Sequence, residues 1–149
     1  MNWVPHNGPN LIHYARQGHT IDGVEISDTL IQTFNKYKKE ESKEVQDRIR
    51  LYKGWIEEFK PQRQYDYVLC TEILEHVVDP ILILKKATEA LKPEGMVYIS
   101  SPAILIGNNT HVRGVPADEL KGWLEDASLV ATWITEEHGQ TFCYAKKID

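Results

Sequence analysis

A chain of 149 residues with 42% hydrophobic and 26% charged residues has the length and composition of one soluble globular domain, residues 1–149. Its net charge of −5 argues against a non-specific binder of nucleic acid or anionic membrane, and no apolar run approaches the ~18 residues of a membrane span. The amino terminus carries no signal-peptide core, and Cys70 and Cys143 lie in apolar, strand-like surroundings, which reads as a cytoplasmic protein with reduced thiols.

Residues 1–7 are broken by Pro5, so residues 2–4 are expected to make no more than a stub of strand. Gly8-Pro9 opens a helix with proline at its first position, Leu11, Ile12 and Ala15 form its apolar face, and Gly18 ends it. Residues 20–25 (TIDGVE) read as a short strand ending in an acidic residue, followed by a helix start at Ser27-Asp28. Leu30, Ile31, Phe34 and Tyr37 share one face of that helix. The mixed-charge run 38–48 reads as a solvated helix end and loop. Residues 49–52 make another strand, and Gly54-Trp55-Ile56 turns out of it.

Residues 65–70 (YDYVLC) read as a strand with both faces covered. Glu72, Glu75 and His76 follow at its carboxyl end, where open α/β sheets place their ligands. If Glu72 opens a helical turn, the three share one face. Asp79 then caps a helix that starts at Pro80, with Ile81, Leu84, Ala87, Thr88 and Leu91 toward the sheet and Lys85, Lys86 and Glu89 toward water. Residues 96–100 are the next strand. The stretch 103–115 combines Gly107, Asn108, Asn109 and Gly114 with His111 and Arg113, and reads as a mobile loop. Residues 116–127 form a helix with Leu120, Trp123, Leu124 and Ala127 inward; residues 129–135 and 141–146 flank His138-Gly139 as an antiparallel hairpin. Alternating strands and helices imply a mostly parallel α/β sheet with helices on both faces.

The run EILEHVVDP at 72–80, with LKPEG at 91–95, resembles the class I S-adenosylmethionine-dependent methyltransferases, in particular the small-molecule, ubiquinone-type O-methyltransferases. The resemblance extends from Gly8 over nearly the whole chain. It implies a Rossmann-like methyltransferase fold with strand order 3-2-1-4-5-7-6 and an antiparallel last strand. The departure is at the amino terminus. The family has a D-x-G-x-G-x-G loop after its first strand; here only Gly8 remains, and the strand is absent or reduced to a stub.

For the cofactor, S-adenosylmethionine, the resemblance implies Gly8, Glu25, Trp55, Ile56, Thr71 and Glu72. Glu25 matches the acidic residue that binds both ribose hydroxyls, because one carboxylate can accept from two vicinal donors. Gly54-Trp55-Ile56 stands where the family usually has Gly-Asp, so Trp55 is either an adenine-stacking residue or packed core. The cluster Glu72, Glu75, His76 and His111 has two readings. In relatives that use a divalent metal ion such as Mn²⁺, these positions ligate it; in others the same run seats the helix and walls the pocket. His76 or His111 is also a candidate catalytic base toward a hydroxyl. Arg113 would hold an anionic substrate or make a salt bridge at the next helix.

The expected function is methyl transfer to an oxygen or nitrogen of a small-molecule substrate. The alternative, motivated by the lost glycine loop, is a catalytically impaired relative that serves as a binding or assembly subunit. At the missing strand, either the stub leaves a shallow cleft bounded by Gly8, Glu25, Trp55 and Glu72, or a neighbouring chain covers the gap and the protein is a homo-oligomer.

Overall fold

The computed structural model describes residues 1–3, 9–107 and 110–148. Two compact units divide the chain, residues 1–59 and 60–149.

In the first unit, β1 (Asn2–Trp3) is followed by α1 (Pro9–Arg16), β2 (Ile21–Glu25), α2 (Asp28–Lys39), α3 (Lys43–Asp47), β3 (Ile49–Lys53) and a 3-10 turn at Ile56–Glu58. The strands lie in the order β3-β2-β1 and run parallel. β1 is the expected stub: two residues, Asn2 opposite Gly23 and Trp3 opposite Val24. Val4 and Gly8 lie outside the described residues. Leu11, Ala15, Ile21, Phe34, Val45 and Ile49 form one buried cluster. At Gly23 a Cβ would sit 2.9 Å from Leu11 Cδ1, so any larger residue there would push the Leu11 side chain aside. Ser27 caps α2 as expected, its hydroxyl accepting from Leu30 N at 3.3 Å. Tyr37, however, is 47% exposed; of the expected apolar face only Phe34 is fully inside.

The run 38–48 also departs from expectation. Residues 43–47 are helical, with Ser42 accepting from Val45 N at 3.4 Å and Val45 buried. Five residues with one apolar side chain are too short for a helical period to register, so only the cap announces α3.

The second unit contains β4 (Tyr65–Thr71), α4 (Pro80–Ala90), β5 (Leu91–Pro102), α5 (Ala117–Asp126), β6 (Leu129–Glu137) and β7 (Gln140–Lys147), with strand order β4-β5-β7-β6. β4 and β5 are parallel, and β7 is antiparallel to both its neighbours. Within each unit the order follows the expected 3-2-1 and 4-5-7-6. Tyr65 pairs with Leu91 and Tyr67 with Met96, so residues 92–95 loop out of the ladder and place the Lys-Pro-Glu-Gly turn inside β5. Asp79 caps α4 through Leu82 N at 2.9 Å. The buried stripe of α4 is Pro80, Ile83, Leu84, Ala87 and Ala90; Ile81 and Thr88, expected inside, are only half-buried. His138 and Gly139 both have positive φ (52° and 75°), the backbone a two-residue hairpin turn needs. Strand β4 corrects the expectation of two covered faces: Val68 and Cys70 are fully buried, whereas Tyr67 is exposed. Among the described residues no helix is long and apolar enough to cross a membrane.

Candidate functional site

In the first unit the cofactor candidates collect at the carboxyl ends of β2 and β3, which finish level with each other at Glu25 and Lys53. Glu25 is buried. Its Oε1 accepts from Ser27 N at 2.8 Å, while Oε2 is buried with no hydrogen-bond partner among the described residues. A buried carboxylate oxygen left unmatched is costly, and it is ready to accept a donor from a ligand. Gly54 N donates to Glu25 O at 3.1 Å, tying the turn after β3 to the end of β2. Trp55 follows at 57% exposure, which removes the packed-core alternative, and Ile56 is buried at the start of the 3-10 turn.

In the second unit the candidates sit where β4 and β5 end. Thr71 pairs with Ser100 and is partly exposed. Glu72 does not open a helical turn. It takes a left-handed backbone (φ 52°), its N donates to Ser100 O at 2.8 Å, and its Oε1 accepts from Ser100 Oγ at 3.2 Å. Such a conformation costs a residue with a side chain about 1–3 kcal/mol and collects at functional positions. Burial, then the nearby charge of Glu75, pushes the Glu72 carboxyl above its ordinary range, against the opposing pull of Ser100 and His111.

Glu75 is fully buried. Ser101 Oγ donates to its Oε2 at 2.7 Å, and its Oε1, 3.7 Å from His76 Nε2, is buried with no hydrogen-bond partner among the described residues. His76 Nδ1 lies 2.9 Å from Thr110 O. A carbonyl can only accept, so Nδ1 carries a proton and the lone pair of the neutral ring is on Nε2. The His111 ring meets His76 edge-on, centroids 4.6 Å apart. Val112 N donates to Glu75 O at 2.8 Å, and Arg113 Nη2 donates to Val78 O at 2.9 Å while its guanidinium lies over Trp123.

These bonds change the picture of the loop expected to be mobile. Residues 110–113 are fastened to 75–78; Asn108 and Asn109 lie outside the described residues. Donor atoms of Glu75, His76 and His111 all fall within 4.8 Å of one another, and Glu72 is not in that group. Ser100 and Ser101 escaped the sequence reading. Their only signal is a pair of hydroxyls at the end of a strand parallel to the one that leads into Glu72.

Residues 5–132 match a family model described as a methyltransferase domain. The ubiquinone biosynthesis O-methyltransferase of Escherichia coli O139:H28 is 29% identical over 145 residues, covering 83% of this chain and 59% of that protein. The chain spans 38 to 59% of the length of the first curated relatives it matches. The CcbJ methyltransferase from Streptomyces caelestis has a similar structure, with a TM-score of 0.86 at 12% identity, over 99% of this chain and 82% of that one. The glycopeptide N-methyltransferase MtfA complexed with S-adenosyl-L-methionine gives a TM-score of 0.81 at 14% identity, over 98% and 85%. At these identities the two structures establish a shared fold.

Proposed function

We propose, because the chain belongs to the methyltransferase domain family, that it is an S-adenosylmethionine-dependent methyltransferase acting on oxygen or nitrogen of a small-molecule acceptor. The observation that carries this reading is Glu25, buried at the end of β2 with Oε2 unmatched among the described residues. That oxygen, with its partner oxygen on Ser27 N, suits a pair of ribose hydroxyls. The exposed Trp55 indole offers a face for adenine, the buried Ile56 follows it in the chain, and Gly8, Thr71 and Glu72 are the other candidates that the family resemblance names. The cofactor, when bound, supplies an electrophilic methyl group on a cationic sulfur.

This chain's own task is to align the acceptor and take its proton. His76 is the base of choice: its Nδ1 is held by Thr110 O, which leaves the Nε2 lone pair to take a proton. His111 packs against it, and Arg113 offers its remaining N–H donors to an anionic group of the acceptor. Two buried thiols without a disulfide support a cytoplasmic setting.

The Glu75-His76 run is read first as a seat for the loop, through the bonds to Ser101, Thr110 and Val112. The unmatched Oε1 of Glu75 favours a second reading. Glu75, His76 and His111 fit a divalent ion as one carboxylate and two imidazole ligands, with Thr110 O fixing the His76 tautomer from behind. Here the ion would polarise the acceptor oxygen.

Calorimetry with S-adenosylhomocysteine, on wild type and on Glu25→Gln, tests the cofactor reading. At about 100 times its dissociation constant the ligand should stabilise the wild type by roughly 2.7 kcal/mol, and Glu25→Gln should bind markedly more weakly. Binding without methyl transfer to any of a panel of phenols, alcohols and amines would support the binding or assembly subunit. No binding at millimolar ligand would sink the cofactor reading itself.

A further inference from the structure

The sheet of the second unit has two unlike faces. On one side Val68, Cys70, Val97, Ile99, Cys143, Ala145 and Leu129 are all buried, and α4 and α5 pack there. The other side presents Tyr67 (61% exposed) on β4, Tyr144 (41%) on β7, and Val130 (49%) and Trp133 (48%) on β6, with the half-buried Tyr98 on β5 between them. The rings form a row across the strands: Tyr98 to Tyr144 at 4.9 Å between centroids, Tyr144 to Trp133 at 5.7 Å.

A break in register brings Val130 and Trp133 to the same face. Ala131 pairs with Ala145 and Trp133 with Tyr144, so Thr132 is an extra residue and the strand's alternation resets. Parallel pairs such as β4–β5 are normally covered on both sides, and an exposed aromatic sheet face marks an interaction surface.

We propose that this face binds the same face of a second copy of this chain, through a two-fold axis running across the strands. The charges select that occupant. Lys146 stands at one end of the face on β7; Glu137, paired with Gln140, stands at the other end on β6. Six residues of strand separate Lys146 from Gln140, about 20 Å. An axis across the strands reverses strand ends between the copies. It lays the aromatic row of one copy on that of the other and brings each Lys146 to the partner's Glu137. Lys146 is available for this: its acidic neighbour Glu94 is 3.9 Å away, at the limit of an ion pair, and both side chains are exposed. Among the described residues Glu137 accepts a hydroxyl, from Thr135 at 3.1 Å. Two sheets packed about 10 Å apart leave room for both side chains to reach across. Four strands make a small interface, so the dimer is expected to dissociate at about 1–100 µM. This surface does not depend on the methyltransferase reading.

Sedimentation velocity across that concentration range tests the proposal. The wild type should move from monomer to dimer, and Trp133→Ser should weaken association at least about tenfold. Lys146→Glu and Glu137→Lys, both at exposed rim positions that the fold tolerates, should each weaken it about three- to tenfold by placing like charges together. The double variant K146E/E137K should restore it, an outcome that general destabilisation cannot produce. Circular dichroism checks that each variant is folded. A wild type still monomeric at about 200 µM overturns the proposal and leaves the face to a foreign helix or chain; so does a dimer that the charge exchange fails to weaken and restore.

Discussion

Ser101, near the end of β5, donates its hydroxyl to Glu75 Oε2 at 2.7 Å across 26 residues of sequence. Glu75 is fully buried and its other oxygen has no hydrogen-bond partner among the described residues, so this bond carries much of what keeps the carboxylate inside. Ser101→Ala is expected to destabilise the fold by about 1–3 kcal/mol, because it leaves a buried acceptor unmatched. Urea unfolding would show it as a lower midpoint at unchanged slope. An unchanged midpoint would mean that water satisfies Glu75.

Glu72 makes the fold pH-dependent in a direction opposite to the usual carboxylate. Burial first, and Glu75 second, hold its carboxyl above the ordinary range, so the folded state binds this proton more tightly than the unfolded chain does. Its contribution to stability is full below the unfolded value near ~4.3 and is lost as pH rises through the folded value. Glu72→Gln cannot ionise and still accepts from Ser100. It should melt above the wild type at about pH 7, with the gap closing below about pH 4. A variant that melts lower at neutral pH would show that the charge is stabilised, not penalised.

Burial pushes the Cys143 thiol up to about 12, and burial together with the charge of Glu75 raises Cys70 further. Both side chains are fully buried. Neither should react with a thiol reagent at neutral pH while the chain is folded, and both should react at once in denaturant. Prompt labelling of the native protein would indicate that β4 or β7 opens locally.

Gly114 closes the neck of the loop that carries His111. A Cβ there would lie 2.6 Å from Ala103 O and 2.6 Å from the Ile104 carbonyl carbon, both backbone atoms that cannot swing aside. Gly114→Ala should cost about 1–3 kcal/mol and loosen residues 110–113 from Glu75 and His76. Limited proteolysis should then cut within 104–113 faster than in the wild type. Gly107→Ala, with open space around its Cβ, should cut at the wild-type rate.

Local chemistry made several features legible. Ser27 and Asp79 announce their helices because a cap is a contact between residues three apart. His138-Gly139 announces the hairpin because positive φ is a property of the turn itself. Glu25 stands out as an acid at the end of an apolar strand. Errors arose where the pattern was short or ambiguous. The one-apolar-residue helix α3 gives no period to read, and in α4 neighbouring apolar residues allow more than one stripe, which hides Ile83 and Ala90.

The sequence alone determined the order of the strands and of every α-helix but α3, the family, and the identity of the acids and histidines proposed for the chemistry, since these reside in local pattern and residue type. Only the tertiary structure decided which of them meet. Ser100 reaches Glu72, and Ser101 reaches Glu75, because β4 and β5 pair in parallel and end side by side. His111 reaches His76 because a loop 35 positions further along is tied back by the Val112 N to Glu75 O bond and by His76 Nδ1 on Thr110 O. The exposed aromatic face depends on one extra residue, Thr132, which resets the alternation of β6. Partners brought together through a sheet register leave no trace at fixed sequence spacing, and a single bulge reassigns every side chain beyond it.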